Sequence, residues 1–143
     1  MRKVIKGNIN LYELNLIELF DLSDVEVRGW FDCTYNHLTN LEGSPHTVGG
    51  DYICNNSRLT SLKGGPHTVG GDYNCSYNNL SNLIGAPQTV GGGFFCTYNR
   101  LTSLDGIPKT IVGGFYIDRE LKDRFSKEYI RSLSKIGGVV GYL

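Results

Sequence analysis

The sequence predicts a repeat solenoid: a coil that lays a short parallel strand beside its predecessor about six times, closed at its C-terminal end by an α-helix. Three observations carry this expectation. Four cysteines, Cys33, Cys54, Cys75 and Cys96, stand 21 residues apart, and all four prolines, Pro45, Pro66, Pro87 and Pro108, keep the same interval. In phase with them run Leu38, Leu59, Leu80 and Leu101; Leu41, Leu62, Leu83 and Leu104; Gly43, Gly64, Gly85 and Gly106; and Val48, Val69, Val90 and Ile111. Within each unit, apolar and polar residues alternate with period two before a Gly/Pro turn, as in Tyr73 and Cys75 against Asp72, Asn74 and Ser76. One such unit cannot bury its own apolar side, so units must stack.

Residues 1–28 read as a degenerate first coil that caps the solenoid. Ile9, Leu11, Leu16 and Leu19 match Phe31, Cys33, Leu38 and Leu41 at an offset of 22, with Leu14 where the later units have Asn. Residues 29–117 hold the regular units. Strands are expected at about 9–11, 31–33, 52–54, 73–75, 94–96 and 115–117, in one sheet on one face. Asn36, Asn78 and Asn99, with Ser57 as a shorter substitute, are placed to satisfy backbone groups of the turn. The pairs Gly49-Gly50, Gly70-Gly71 and Gly91-Gly92 are expected to give the backbone freedom for a sharp return. Residues 118–143 form a helical cap and tail. Leu121, Phe125, Tyr129, Leu133 and Ile136 recur every three or four residues, an apolar helical stripe that Gly137-Gly138 would stop. The whole chain reads as a single domain.

The unit Tyr73-x-Cys75-x-x-Asn78-x-Leu80-x-x-Leu83, followed by Pro87 and Val90, resembles the leucine-rich repeat, whose signature is L-x-x-L-x-L-x-x-N/C-x-L. It departs by placing Tyr/Phe and Cys where leucine is usual, and by the Gly-Gly pair before the strand. Its style is similar to short bacterial and bacteriophage members with LTSL-x-G-x-P-x-TVGG units. Over about residues 7–118 the resemblance implies a right-handed leucine-rich-repeat coil with its parallel sheet on one face. It also implies binding rather than catalysis. A bacteriophage member would work in the host cytoplasm, as an inhibitor of a host enzyme or defence system. Bacterial relatives with ubiquitin-ligase activity carry a separate catalytic domain, and the stretch after the repeats is too short for one.

Composition excludes several classes. Fourteen basic residues balance fourteen acidic ones, so the basic excess of a nucleic-acid binder is missing. The 40% hydrophobic content argues against disorder. No apolar run approaches the ~18 residues of a membrane helix. The charged N-terminus lacks an apolar signal segment, which points to the cytoplasm. No Ser/His/Asp or Cys/His constellation is visible, so the chain is expected not to be an enzyme and to need no cofactor. A row of parallel cysteines cannot wrap a tetrahedral metal. His46 and His67 share a unit position but are followed by Gln88 and Lys109, which leaves no third ligand.

The exposed strand face is the best candidate site. Alternation turns Trp30, Asp32 and Thr34 outward, then Asp51, Ile53 and Asn55, then Asp72, Asn74 and Ser76, then Gly93, Phe95 and Thr97, then Gly114, Tyr116 and Asp118. Framework positions are constant from unit to unit, whereas the row Asp32, Ile53, Asn74, Phe95, Tyr116 varies. Exposed aromatics on a rigid face suggest an interface. The expected partner-binding set is Trp30, Asp32, Asp51, Ile53, Asp72, Asn74, Phe95 and Tyr116. Asp32, Asp51 and Asp72 would favour a locally basic protein partner. Tyr35, Tyr77 and Tyr98, with Asn56 between them, line the edge beyond the strands. Two other readings stand beside this one: a small-molecule or nucleotide sponge, and a structural protein whose face is buried in a homodimer.

Overall fold

The computed structural model describes residues 2–143. The chain is a parallel β-solenoid of about seven coils, and each coil carries two strands instead of the one expected. The first sheet contains β1 (Lys3–Ile5), β3 (Val25–Val27), β5 (Thr47–Val48), β7 (Thr68–Val69), β9 (Thr89–Val90), β11 (Thr110–Ile111) and β13 (Lys135–Ile136). The second contains β2 (Ile9–Asn10), β4 (Phe31–Asp32), β6 (Tyr52–Ile53), β8 (Tyr73–Asn74), β10 (Phe94–Phe95), β12 (Phe115–Ile117) and β14 (Val140–Tyr142). Every pairing is parallel between successive coils. The second sheet includes the six expected strands and gains β14. The first sheet was not expected: most of its strands are two residues long, too short for alternation to reveal them.

The core follows the 21-residue frame. Phe31, Tyr52, Tyr73, Phe94 and Phe115 stack face to face, with successive ring centroids 5.1, 5.3, 5.1 and 5.7 Å apart. Beside this ladder run the four buried cysteines, the two leucine rows, and Val27, Val48, Val69, Val90 and Ile111 from the first sheet.

Two kinds of glycine do different work. Gly43, Gly64, Gly85 and Gly106 adopt φ of +85 to +98°, where a side chain is strained. The Gly-Gly pairs, expected to supply that freedom, do not have positive φ. They permit close stacking: a Cβ on Gly70 would strike the carbonyl of Gly49 in the preceding coil, and one on Gly91 the carbonyl of Gly70.

The C-terminal segment corrects the expected helical cap over residues 118–143. A 3-10 turn spans Arg119–Leu121, and α1 covers only Lys127–Leu133. Ser126 begins the helix by accepting the Tyr129 N–H at 3.1 Å. The helix ends because Ser134 turns extended and Lys135–Ile136 must join the first sheet beside Thr110–Ile111. The segment is thus a seventh coil with a longer connection. Gly137-Gly138 is its Gly-Gly pair rather than a helix stop, since the Gly138 N–H donates to Gly113 O as Gly113 N–H does to Gly92 O. Phe125, Ile130 and Ile136 are buried, whereas Tyr129 and Leu133 remain exposed.

Candidate functional site

The register places the expected middle row side by side. Asp32 pairs with Ile53, Ile53 with Asn74, Asn74 with Phe95, and Phe95 with Tyr116. Asn10 precedes Asp32 and Gly141 follows Tyr116. Phe95 and Tyr116 stack with centroids 4.7 Å apart and planes 7° from parallel. Both are half-buried, as are Asp32, Ile53 and Asn74. Small residues beside the pair let the rings lie down: a Cβ on Gly93 would meet the Phe95 ring, and one on Gly114 or Gly141 the Tyr116 ring.

The neighbouring column runs Trp30, Asp51, Asp72, with Trp30 and Asp72 exposed and Asp51 half-buried. Its acids have structural work as well. Asp51 accepts the Asp72 N–H at 2.7 Å, and Asp72 accepts the Gly93 N–H at 2.7 Å. Asn8 does the same for Trp30 at 2.9 Å. Asp32 and Asn74 each accept the N–H two residues on, at 2.8 and 3.0 Å, closing local turns. Asp51 and Asp72 therefore tie their coils to the next through one oxygen, whereas Asp32 and Asn74 brace their own. Asp51, Ile53, Asp72, Asn74 and Phe95 line one shallow depression of about 230 Å3. Among the described residues, the ion pairs are Lys3–Asp24, Arg28–Glu26 and Lys63–Glu42, none of which involves these acids.

The third outward column is corrected. Thr34, Ser76, Thr97 and Asp118 are buried, not presented to solvent. They knit coils together: Thr97 Oγ1 lies 3.1 Å from Ser76 Oγ, and Asp118 accepts the Tyr98 and Asn99 N–H groups. The chain turns inward directly after each strand, which removes this column from the face.

At that turn Tyr35, Tyr77, Tyr98 and Asn56 all take φ of 54 to 57°. Left-handed backbone suits Asn56 and is uncommon for tyrosine. It throws the three rings into solvent, where Tyr77 and Tyr98 stack at 4.4 Å and Tyr35 meets Tyr12 edge-on at 5.5 Å. Just inside lies the asparagine ladder. Asn78 Nδ2 donates to Cys54 O, Cys75 O and Ser76 O, while Oδ1 accepts the Ser57 and Leu59 N–H groups. Asn36 does the same for the first coil. Ser57 reaches only Leu38.

The tempting chemical groups have structural surroundings. All four thiols are free and buried, and those of Cys54, Cys75 and Cys96 donate to carbonyls of the next coil. Burial pushes every one of them up, Cys33 to about 12, so no thiolate nucleophile forms near neutral pH. His46 and His67 stack at 5.6 Å. Burial, then the charges of Arg2 and His67, lowers the His46 pKa. Among the described residues no group of three or more His, Cys, Asp or Glu could hold a metal.

A second flat face was missed with the first sheet. Glu26, Thr47, Thr68, Thr89, Thr110 and Lys135 stand in register across it. An open trough of about 690 Å3 follows this row, floored by Gly49, Gly70 and Gly91. The recurring Thr-Val-Gly-Gly carries its sequence signal, with Val inward and Thr outward ahead of each glycine pair. No helix among the described residues is long and apolar enough to cross a membrane. Comparison of the chain with protein-family models, with curated proteins and with solved structures finds no match.

Proposed function

We propose that this solenoid is a non-enzymatic binding module that holds a protein partner against its second sheet. The single observation behind this reading is the Phe95–Tyr116 pair, stacked flat at 4.7 Å in the same row as Ile53 on a rigid parallel face. An aromatic pair and an aliphatic side chain in one row, flanked on the N-terminal side by Trp30, Asp32, Asp51, Asp72 and Asn74, offer the anchors and polar surround of a protein interface. The acids favour a partner that is basic at the Trp30–Asp72 side. A small-molecule sponge is less well supported, because the depression lined by Asp51, Ile53, Asp72, Asn74 and Phe95, about 230 Å3, is smaller than the ~300–1,000 Å3 common for such ligands.

The finer reading is also a proposal: a leucine-rich-repeat protein of the bacterial and bacteriophage type, acting in the cytoplasm on a host protein. The Leu-x-x-Leu spacing and the asparagine ladder favour it. The second strand in every unit departs from it, since that family's units carry a helix or 3-10 turn there.

The test is capture of protein partners from cell lysate by the tagged chain and by its Phe95→Ala/Tyr116→Ala variant. The variant is expected to lose capture while remaining folded, because both side chains lie outside the buried core. Unchanged capture by the folded variant would overturn the reading.

A further inference from the structure

The two ends of the solenoid differ from its middle. Among the described residues the outermost strands of each sheet have one unpaired edge: β1 and β2 at one end, β13 and β14 at the other. Open parallel edges are templates for pairing with another chain. Solenoids ordinarily protect them with terminal coils whose outer face is polar. Here the first coil does the reverse. Leu14, Ile17 and Phe20 are 52, 75 and 56% exposed. In later coils the position of Leu14 holds an asparagine that binds the preceding coil. The first described coil presents leucine there instead.

The ends also carry opposite charge. Residues 11–24 contain four acids, Glu13, Glu18, Asp21 and Asp24, and no basic residue. All four are exposed, and only Asp24 is ion-paired among the described residues, to Lys3. The connection at the far end, residues 119–135, has six basic residues and three acidic ones. Of the basic residues, Arg131 is occupied with the carbonyls of Ile136 and Gly138. On that connection Tyr129 and Leu133 are 46 and 41% exposed.

We propose that the chain associates head to tail with a second copy of itself. The acidic, apolar first coil of one molecule docks on the basic, apolar last connection of the next, so that the two sheets continue from molecule to molecule. The contact is heterologous: each molecule uses a different surface to give and to receive, so it extends into a filament or closes into a ring. It uses neither sheet face and leaves the proposed partner site open.

The experiment is sedimentation velocity on the full chain across concentration and salt, with two end variants. The wild type is expected to rise at least twofold above the 15.9 kDa of one chain as concentration increases, and to fall back between about 0.05 and 0.5 M salt as the opposite charges are screened. Ile17→Ser/Phe20→Ser and Tyr129→Ser/Leu133→Ser each alter exposed side chains only, and each is expected to remain monomeric alone. Mixed, they should form a species of two chains and stop, because each retains the end the other lacks. Two results overturn the proposal: a wild type that stays at one chain throughout, or association that survives both end variants but is lost with Phe95→Asp. The second would mean a face-to-face dimer. Neither result bears on capture of a different protein by the Phe95–Tyr116 face, which is read separately.

Discussion

The Ser44 hydroxyl lies 2.7 Å from the phenol oxygen of Tyr52, and both side chains are buried. One coil on, Tyr73 repeats Tyr52, but Gly65 stands where Ser44 stood, and the buried Tyr73 hydroxyl has no hydrogen-bond partner among the described residues. The next coil avoids the problem differently, with Ala86 before Phe94, which has no hydroxyl to satisfy. Serine at position 65 should therefore be an improvement. A Cβ there would sit 3.1 Å from Leu62 O and 3.3 Å from Leu41 Cδ1. Ser44 is accommodated in the same turn, its N–H donating to Leu41 O as the Gly65 N–H does to Leu62 O. Gly65→Ser is expected to stabilise by about 1 kcal/mol, the net worth of one hydrogen bond, in urea unfolding. In the Tyr73→Phe background the gain should vanish.

Asn78 makes five hydrogen bonds that join two coils. Alanine there leaves several buried backbone groups unpaired, each costing about 1–3 kcal/mol. Asn78→Ala is expected to lower the unfolding free energy by at least ~3 kcal/mol. Asn78→Ser should cost less, because Ser57 already fills that position one coil earlier. Equal losses for the two variants would show that the shorter side chain does not substitute.

Gly70 has ordinary φ, yet a Cβ on it would strike the Gly49 carbonyl. Gly70→Ala must push two coils apart and is expected to cost upwards of ~2 kcal/mol, in the range of other overpacked sites. Gly7 has nothing within 4 Å of its added Cβ, so Gly7→Ala should be neutral within about 0.5 kcal/mol. Chemical denaturation of the pair separates stacking distance from glycine content as the cause.

The buried thiols make stability fall in alkali. Burial raises the folded-state pKa of Cys33 from 9.0 to about 12, and the other three rise as well. The unfolded chain loses these protons near 9 while the folded chain keeps them. The stabilisation is therefore complete below about pH 9 and declines as pH rises from there towards 12. Urea midpoints measured from pH 7 to 11 should drop above 9. A Cys33→Ala variant should show a shallower fall. In the folded protein at pH 8, thiol reagents should react only as fast as the chain opens.

Much of the fold was legible because one interval repeats. Spacing placed Cys75, Tyr73, Leu80 and Leu83 in the core, put Asn36, Asn78 and Asn99 at the turns, and set Ile53, Asn74, Phe95 and Tyr116 in one row. The burial of Thr34, Ser76, Thr97 and Asp118 was not legible. Strand alternation assigns them outward, but the backbone leaves the strand at that residue, and their side chains find hydrogen-bond partners in the neighbouring coil. The αL conformation of Tyr35, Tyr77 and Tyr98 also gave no sequence signal, since tyrosine is an unusual occupant of that region.

The apolar periodicity over residues 121–136 shows why local pattern is not enough. It is a genuine helical stripe, but only Lys127–Leu133 becomes helix, because Ile136 pairs with Ile111 in a sheet the sequence did not announce. Sequence alone determined the coil: its length, its core, its turn residues and the row on its second face. Tertiary structure decided what two residues of Thr-Val are worth. Alone they cannot hold a strand, but stacked seven deep with Val27, Val48, Val69, Val90 and Ile111 inward they form a second sheet. The cause is cooperative: hydrogen bonds and buried area in a solenoid come from neighbouring coils, so they exist only once the coils are stacked.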